Sequence, residues 1–274
     1  MKKVRCGITG HTGSIGKALL KENTFLKFDF FKGEITNKKE VRKWIKNKKF
    51  NYLIHLAAVV PIKEVNKNKK NAFKVNTIGT ENLVDTIVTT ENKIKWFFFA
   101  STSHVYSTSR KNITEKSKIR PISYYGKTKY FAEKKLKKLS NQNVKVCIGR
   151  IFSTTNINQR KNYLVPDLKN KIKKGNGVIE LENLNHFRDF ISIKDIAKII
   201  IFFLKKEIRG IFNLSTGRPT KLDKIAKIIG RKYKKRIKIY KNNEPTFLIG
   251  NNSLLRKVYK KKLDLNLNSM IFKK

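Results

Sequence analysis

Tyr125 and Lys129 stand four positions apart in a helix-forming stretch, so their side chains leave the same face. A phenol holds its proton to about pH 10, too high for a base at neutrality. A neighbouring ammonium favours the phenolate, and a nicotinamide cation above it would favour it further. Such a tyrosine can take the proton of a substrate hydroxyl while hydride leaves the same carbon for a dinucleotide. The lysine can also hold the nicotinamide ribose. Thr102, 23 positions before Tyr125 and at the end of an aromatic, β-branched run, can hydrogen-bond the same substrate oxygen. Tyr-x-x-x-Lys alone is common by chance. It gains weight from the strand-end threonine and from a glycine-rich turn far upstream.

That turn holds Gly10, Gly13 and Gly16 between a β-type run and a helical one. Glycine permits a positive φ and lets backbone approach a pyrophosphate closely. The following helix, opening at Ser14 and Ile15, aims its free N–H groups and positive dipole end at that anion. Asp29 follows Gly10 by 19 positions, where a carboxylate would accept bonds from an adenosine ribose. That favours NAD, but Lys27 and Lys32 beside it offer charge to a 2′-phosphate, so NADP stays open.

The elements that must position these groups alternate. Residues 4–8, 25–31, 52–58, 94–100 and 144–148 read as strands, and residues 17–20, 41–48, 71–90 and 125–139 as helices. Residues 52–58 are apolar on both faces, as a buried parallel strand requires. The alternation predicts an α/β fold, a doubly wound parallel sheet with right-handed crossovers. Thr102 then lies at the C-terminal sheet edge, where such folds bind ligands. After Arg150 the pattern loosens, which places a smaller and less regular lobe there.

The 274 residues carry 64 Lys+Arg against 19 Asp+Glu, a formal charge of +45. The apolar share of 39% excludes a wholly disordered chain. Such charge raises the possibility of a nucleic-acid binder, but only 12 of the basic residues are Arg and the lysines are spread throughout. A chain rich in Lys, Asn and Ile is what an AT-rich coding sequence yields without selection for binding. No specific nucleic-acid partner is therefore expected, although the surface would attract an anionic substrate. Cys6 and Cys147 are too few for a disulfide framework or a tetrahedral metal site, and no metal is expected. The start, Met1 to Gly7, lacks the apolar run of a secretory leader, and the greasiest stretch, 196–204, is half a membrane span. The expectation is a cytoplasmic protein without membrane attachment.

With these motifs in place, the chain resembles the extended short-chain dehydrogenase/reductases, specifically the NAD-dependent epimerase/dehydratase family acting on nucleotide sugars. Residues 9–16 match its TGxxGxxG loop. His55-Leu56-Ala57-Ala58 matches the segment bordering the cofactor, and residues 75–80 the VNxxGT helix, with Asn76 in a supporting position. Residues 101–106 look like SSxxVYG, which makes Thr102 the catalytic hydroxyl, and residues 125–129 look like YGxSK, with Tyr125 as acid/base. Residues 186–191 resemble a segment whose arginine, here Arg188, binds the diphosphate, and residues 210–214 resemble the strand closing the substrate lobe.

The departures are informative. Ser153 replaces an Asn that touches the diphosphate, Ser107 a usual glycine, and Glu34, beside Ile35, an adenine-contacting Asp. Ser103 and His104 follow Thr102 where 4,6-dehydratases carry an acid, so a dehydratase is not expected. His104 lies where epimerase–reductases place an acid/base cysteine and is expected to line the substrate site. Their second acid/base histidine would fall near Tyr163.

The resemblance implies a Rossmann-like dinucleotide domain over 1–150 plus about 188–215, and a substrate lobe over about 151–187 and 216–274. It also implies a homodimer through two long helices. The implied activity is first a nucleotide-sugar epimerase: hydride leaves a ring carbon and returns to its other face, with Thr102, Tyr125 and Lys129 serving both halves. A 4-keto-sugar reductase using NADPH, close to the dehydrorhamnose-reductase branch, is the alternative. A non-catalytic basic nucleotide- or nucleic-acid-binding protein is the reading from another class.

Overall fold

The computed structural model describes residues 4–272; Met1–Lys3, part of the start where no leader is expected, lie outside the described residues. The first half winds as β1 (Val4–Thr9), α1 (Ser14–Glu22), β2 (Leu26–Phe30), α2 (Lys38–Asn47), β3 (Tyr52–His55), α3 (Ile62–Lys67) and α4 (Lys69–Phe73). A π-helical turn (Lys74–Ile78) leads into α5 (Gly79–Thr89), followed by β4 (Trp96–Thr102), α6 (Tyr124–Lys135), α7 (Lys137–Ser140) and β5 (Lys145–Ile151). The second half holds β6 (Ser153–Thr155), α8 (Leu164–Lys174), β7 (Val178–Glu182), β8 (Phe187–Arg188), β9 (Phe190–Ser192) and α9 (Ile193–Lys205). It ends with β10 (Gly210–Leu214), β11 (Thr220–Lys221), α10 (Leu222–Lys232), β12 (Arg236–Tyr240), β13 (Phe247–Leu248), α11 (Ser253–Val258) and α12 (Leu267–Ile271).

Six strands form one sheet in the order β10-β5-β4-β3-β1-β2, and every pairing in it is parallel. Strand order reverses beside β1, so the crevice at the C-terminal ends of β1 and β3 is the switch point where such folds take ligands. β4 explains the sheet's burial. Trp96 and Phe98 enter the layer of α1 and α9, while Phe97 and Phe99 enter that of α2, α5 and α6. All four rings are fully buried, each worth roughly 2–3 kcal/mol of apolar transfer. Residues 71–90, read as one helix, are helical throughout but carry the π turn at Lys74–Ile78. The extra residue per turn rotates Asn76 inward, where it is fully buried.

A separate apolar cluster joins α8, α10, β7 and β12 through Leu168, Ile172, Ile179, Ile225 and Ile229. β7 and β12 pair in parallel, Ile179 with Ile237 and Leu181 with Ile239. The remaining strands in this part are two or three residues long. No helix among the described residues is long and apolar enough to cross a membrane.

Candidate active site

The turn after β1 is built as its glycines require. Gly10 has φ +71, and a Cβ on it would lie 2.5 Å from the backbone nitrogen of Ala57. β1 and the segment after β3 therefore meet backbone to backbone. Gly13 caps α1 without a side-chain hydrogen bond, and the first helical bond runs from Lys17 N–H to the Gly13 carbonyl, 2.9 Å. The N–H groups of Ser14, Ile15 and Gly16 thus lie ahead of the helical ladder, as an anion site at a helix start requires.

Leu56, Ala57 and Ala58 follow β3 directly, and their placement is fixed by a hydrogen-bond chain whose direction can be read. Ala57 N–H donates to Thr9 Oγ1 (3.2 Å), and Thr9 Oγ1 lies 2.7 Å from His55 Nδ1. His55 Nε2 lies 2.9 Å from Thr80 Oγ1, which donates to the Asn76 carbonyl at 2.8 Å. Thr80 has spent its proton, so His55 must donate from Nε2 and accept at Nδ1. Burial, with the nearby Lys129 charge, holds the His55 imidazole well below its ordinary pKa and therefore neutral. Asn76 Oδ1 then accepts from Val59 N–H (2.8 Å), and its Nδ2 donates to the Val59 carbonyl and to Thr128 Oγ1, both at 3.0 Å. The chain runs from the glycine turn to the helix that carries Tyr125 and Lys129.

Ser123 caps α6 by accepting from Gly126 N–H (3.1 Å). A Cβ on Gly126 would lie 2.0 Å from the His104 carbonyl oxygen, so only glycine lets α6 press against the turn after β4. Thr102, at the end of β4, accepts from His104 N–H at 3.2 Å, which leaves its hydroxyl proton to donate outward. Thr102, Tyr125 and Lys129 are 5%, 9% and 1% exposed, so all three predicted groups are buried, Thr102 at the end of β4 and the other two one turn apart on α6. Burial raises the Tyr125 phenol far above its usual range, reinforced by the neighbouring Tyr163, while a hydrogen bond with Thr102 pulls it down. Burial likewise lowers Lys129 to about 7, with Glu133 acting against it. The Lys129 ammonium lies 3.9 Å from the Phe99 ring centroid.

Glu133 sits one helical turn beyond Lys129 and anchors α6 to the sheet. Its carboxylate accepts from Arg150 (2.7 and 3.1 Å) and from the hydroxyl of Ser101, the residue before Thr102. Arg150 also donates to Tyr106 Oη (2.8 Å), which donates to Asn213 Oδ1 (2.8 Å). Sequence reading missed this anchor, although the i, i+4 step from Lys129 to Glu133 was available as a signal.

The other predicted residues divide. His104 shares a hydrogen bond with Ser123 (3.0 Å), and its ring meets that of Tyr125 edge-on, 6.1 Å between centroids. Burial and Arg188 bring its pKa down to about 4, so the imidazole is neutral at physiological pH. Arg188 donates to the carbonyls of Phe187 and Thr246 (2.8 and 3.0 Å) and to Thr246 Oγ1 (3.1 Å). Ser153 lies in β6, paired with Phe190. Ile35 is buried where Gly79 makes room for it, and Glu34 is exposed with its N–H bonded to Glu40 at 2.8 Å. Asp29 has a different partner from the one expected: Arg5 takes both carboxylate oxygens at 2.8–3.0 Å. It pairs with Gly7, whose open side is filled by Phe50, so it faces α2 and not the glycine turn.

A doubly wound sheet with a glycine turn at its switch point and a buried Thr–Tyr–Lys wall defines a dinucleotide-fold enzyme site. The chain belongs to the NAD dependent epimerase/dehydratase family, whose sequence pattern matches residues 6–215, and this membership sets the non-catalytic reading aside. GDP-6-deoxy-D-talose 4-dehydrogenase of Aggregatibacter actinomycetemcomitans is 31% identical over 221 residues, 77% of this chain and 74% of that protein. ADP-L-glycero-D-manno-heptose-6-epimerase of Brachyspira hyodysenteriae is 29% identical over 216 residues, 75% of this chain and 66% of that protein. The fold matches that of RMD from Pseudomonas aeruginosa, solved with NADPH, with a TM-score of 0.88 at 17% identity over 98% of this chain and 96% of that one.

Proposed function

We propose that the protein is an oxidoreductase that interconverts a ketone and a hydroxyl at a ring carbon of a nucleotide sugar, with position 4 preferred. The observation that supports this reading is the burial of Thr102 at the end of β4, hydrogen-bonded with Tyr125, and of Lys129 one turn along α6 from Tyr125, which offers one proton-transferring group and one hydroxyl to orient its target. A bound nicotinamide dinucleotide would supply the hydride chemistry. The protein fits such a group: a Cβ-free cradle at Gly10, uncapped N–H groups at Ser14–Gly16, and the Leu56–Ala58 segment across the crevice.

The remaining steps belong to the chain. Thr102 keeps its hydroxyl proton while accepting from His104 N–H, so it can donate to the substrate oxygen and orient it. Tyr125, whose burial keeps the phenol protonated, donates its proton to the oxygen of a ketone. The Lys129 ammonium stabilises the phenolate left behind and offers donors to a ribose. Neutral His104 lines the sugar side without exchanging protons, and Arg188, Ser153 and the basic surface favour the diphosphate. The relative named as a 4-dehydrogenase of a GDP-linked 6-deoxysugar supports a single redox event at C4.

The second reading, an epimerase, is favoured by the heptose 6-epimerase relative. Incubating purified protein with a GDP-4-keto-6-deoxyhexose and NADPH, while following absorbance loss at the nicotinamide band, separates the two. Stoichiometric oxidation with a new hydroxyl at C4 supports the reductase. In a parallel reaction supplied with the C4-hydroxy sugar nucleotide, inversion at C4 without net cofactor consumption would replace it with the epimerase.

A further inference from the structure

The β1–β2 register defines what stands beside the glycine turn. Val4 pairs with Leu26, Gly7 with Asp29 and Ile8 with Phe30, and Phe31 N–H continues the ladder to the Ile8 carbonyl at 2.9 Å. Continued two residues past its last pair, that register would set Lys32 level with Gly10. Asp29 lies three residues back, about 10 Å below that level at the rise of a strand. Its carboxylate is turned toward α2 and held at both oxygens by Arg5. Phe30 occupies the intervening level, its ring 4.6 Å from that of His11 in the turn itself.

A dinucleotide lying across Gly10 therefore meets an ammonium where an NAD-selective fold places a carboxylate against the adenosine ribose. Two other acids are near in sequence. Glu40 is committed, accepting from Glu34 N–H and from Asn37 Nδ2 (2.8 and 2.9 Å). Glu34 stands two residues beyond Lys32 and is solvent-exposed. Lys32 is exposed and makes no ion pair among the described residues. Lys27 is two residues behind Asp29 and further from the turn.

We propose that Lys32 makes the protein selective for NADP(H), its ammonium binding the 2′-phosphate, while the Arg5–Asp29 pair withdraws the carboxylate that would repel it. This rests on the reading of the glycine turn as a dinucleotide site. The test is calorimetric titration of cofactor-stripped protein with NADP+ and NAD+, and with adenosine 2′,5′-bisphosphate against ADP. NADP+ is expected to bind at least ~10-fold more tightly, the usual worth of a charge-assisted contact. Lys32→Glu should erase that preference while leaving NAD+ affinity within about two-fold, and Lys32→Arg should keep it. Equal affinities in the unaltered protein, or a preference that survives Lys32→Glu, overturns the assignment while leaving the dinucleotide site intact. Binding of neither dinucleotide by folded protein overturns the site and the assignment together.

Discussion

The two halves of the molecule place their functional groups by different means. Around the glycine turn, the positioning contacts are directional and almost all buried: Ala57 to Thr9 to His55, then Thr80 to Asn76 to Thr128. Around Arg188 and Ser153 the support is a set of two- and three-residue strands, with Arg188 tied to the carbonyl of Phe187 in its own strand and to that of Thr246 before β13. The first arrangement fixes atoms whose chemistry does not change. The second can vary its side chains without disturbing the sheet, and under the proposed function substrate identity is assigned to it.

The largest effect that separates the halves is expected at Tyr125. Tyr125→Phe removes the proton donor and should lower kcat by about 10²–10⁴-fold while leaving dinucleotide affinity within a few-fold. A turnover assay alongside cofactor titration decides it. Retained turnover would place the proton transfer elsewhere.

Lys129 is the next test, because its burial works against stability. Its pKa is lowered to about 7 in the folded protein, so the unfolded chain binds more protons between about pH 7 and its ordinary value near 10.5. Stability should therefore rise with pH across that window, and Lys129→Met should raise the melting temperature while depressing turnover. Ketone reduction needs the ammonium to support the phenolate, so kcat/KM should fall as pH rises through about 7. A profile flat through neutrality would remove Lys129 from that role.

His55→Gln should act at a middle scale. It breaks a buried chain and takes one hydrogen bond from the Thr9 or the Thr80 hydroxyl, costing about 1–3 kcal/mol, measurable by urea unfolding. The histidines add a pH signature. Burial keeps His55 and His104 neutral in the fold, so below the ordinary value near 6.5 the unfolded chain binds the extra protons. Stability should decline as pH falls from 6.5 toward about 4, and His55→Gln should shallow that decline.

The difference between the halves also explains what the sequence disclosed. Residues 52–55 and 96–102 are buried on both faces, so they read as continuous apolar runs, and at Gly10 and Gly16 a Cβ would run into backbone. Gly10, Thr102, Tyr125 and Lys129 could thus be placed on their elements before any coordinates. Asp29 shows the limit of counting: 19 positions is the right spacing, but the strand register puts it on the wrong face and level. β7 and β12 carry a short alternation of apolar and charged residues, but their pairing in parallel across almost sixty residues leaves no mark in the sequence. β8, β11 and β13 are too short to carry any periodicity.

The smallest expected effect lies where the halves touch over the site. Lys63 pairs with Asp167 at 2.7 Å, and Asn162 donates to Glu64 at 2.6 Å, joining α3 to the segment that carries Tyr163 and to α8. Lys63 is 77% exposed, so solvent screens its pair and Lys63→Ala should change unfolding stability by less than about 0.5 kcal/mol. Its influence should appear instead in substrate capture, because the two contacts tether the segment that carries Tyr163, a neighbour of Tyr125. Pairing Lys63→Ala with Glu64→Gln should raise KM a few-fold with kcat nearly unchanged, and salt should raise KM of the unaltered protein in the same direction. A fall in kcat equal to the rise in KM would show that α3 belongs to the catalytic wall, and that the halves are less separable than their hydrogen bonding implies.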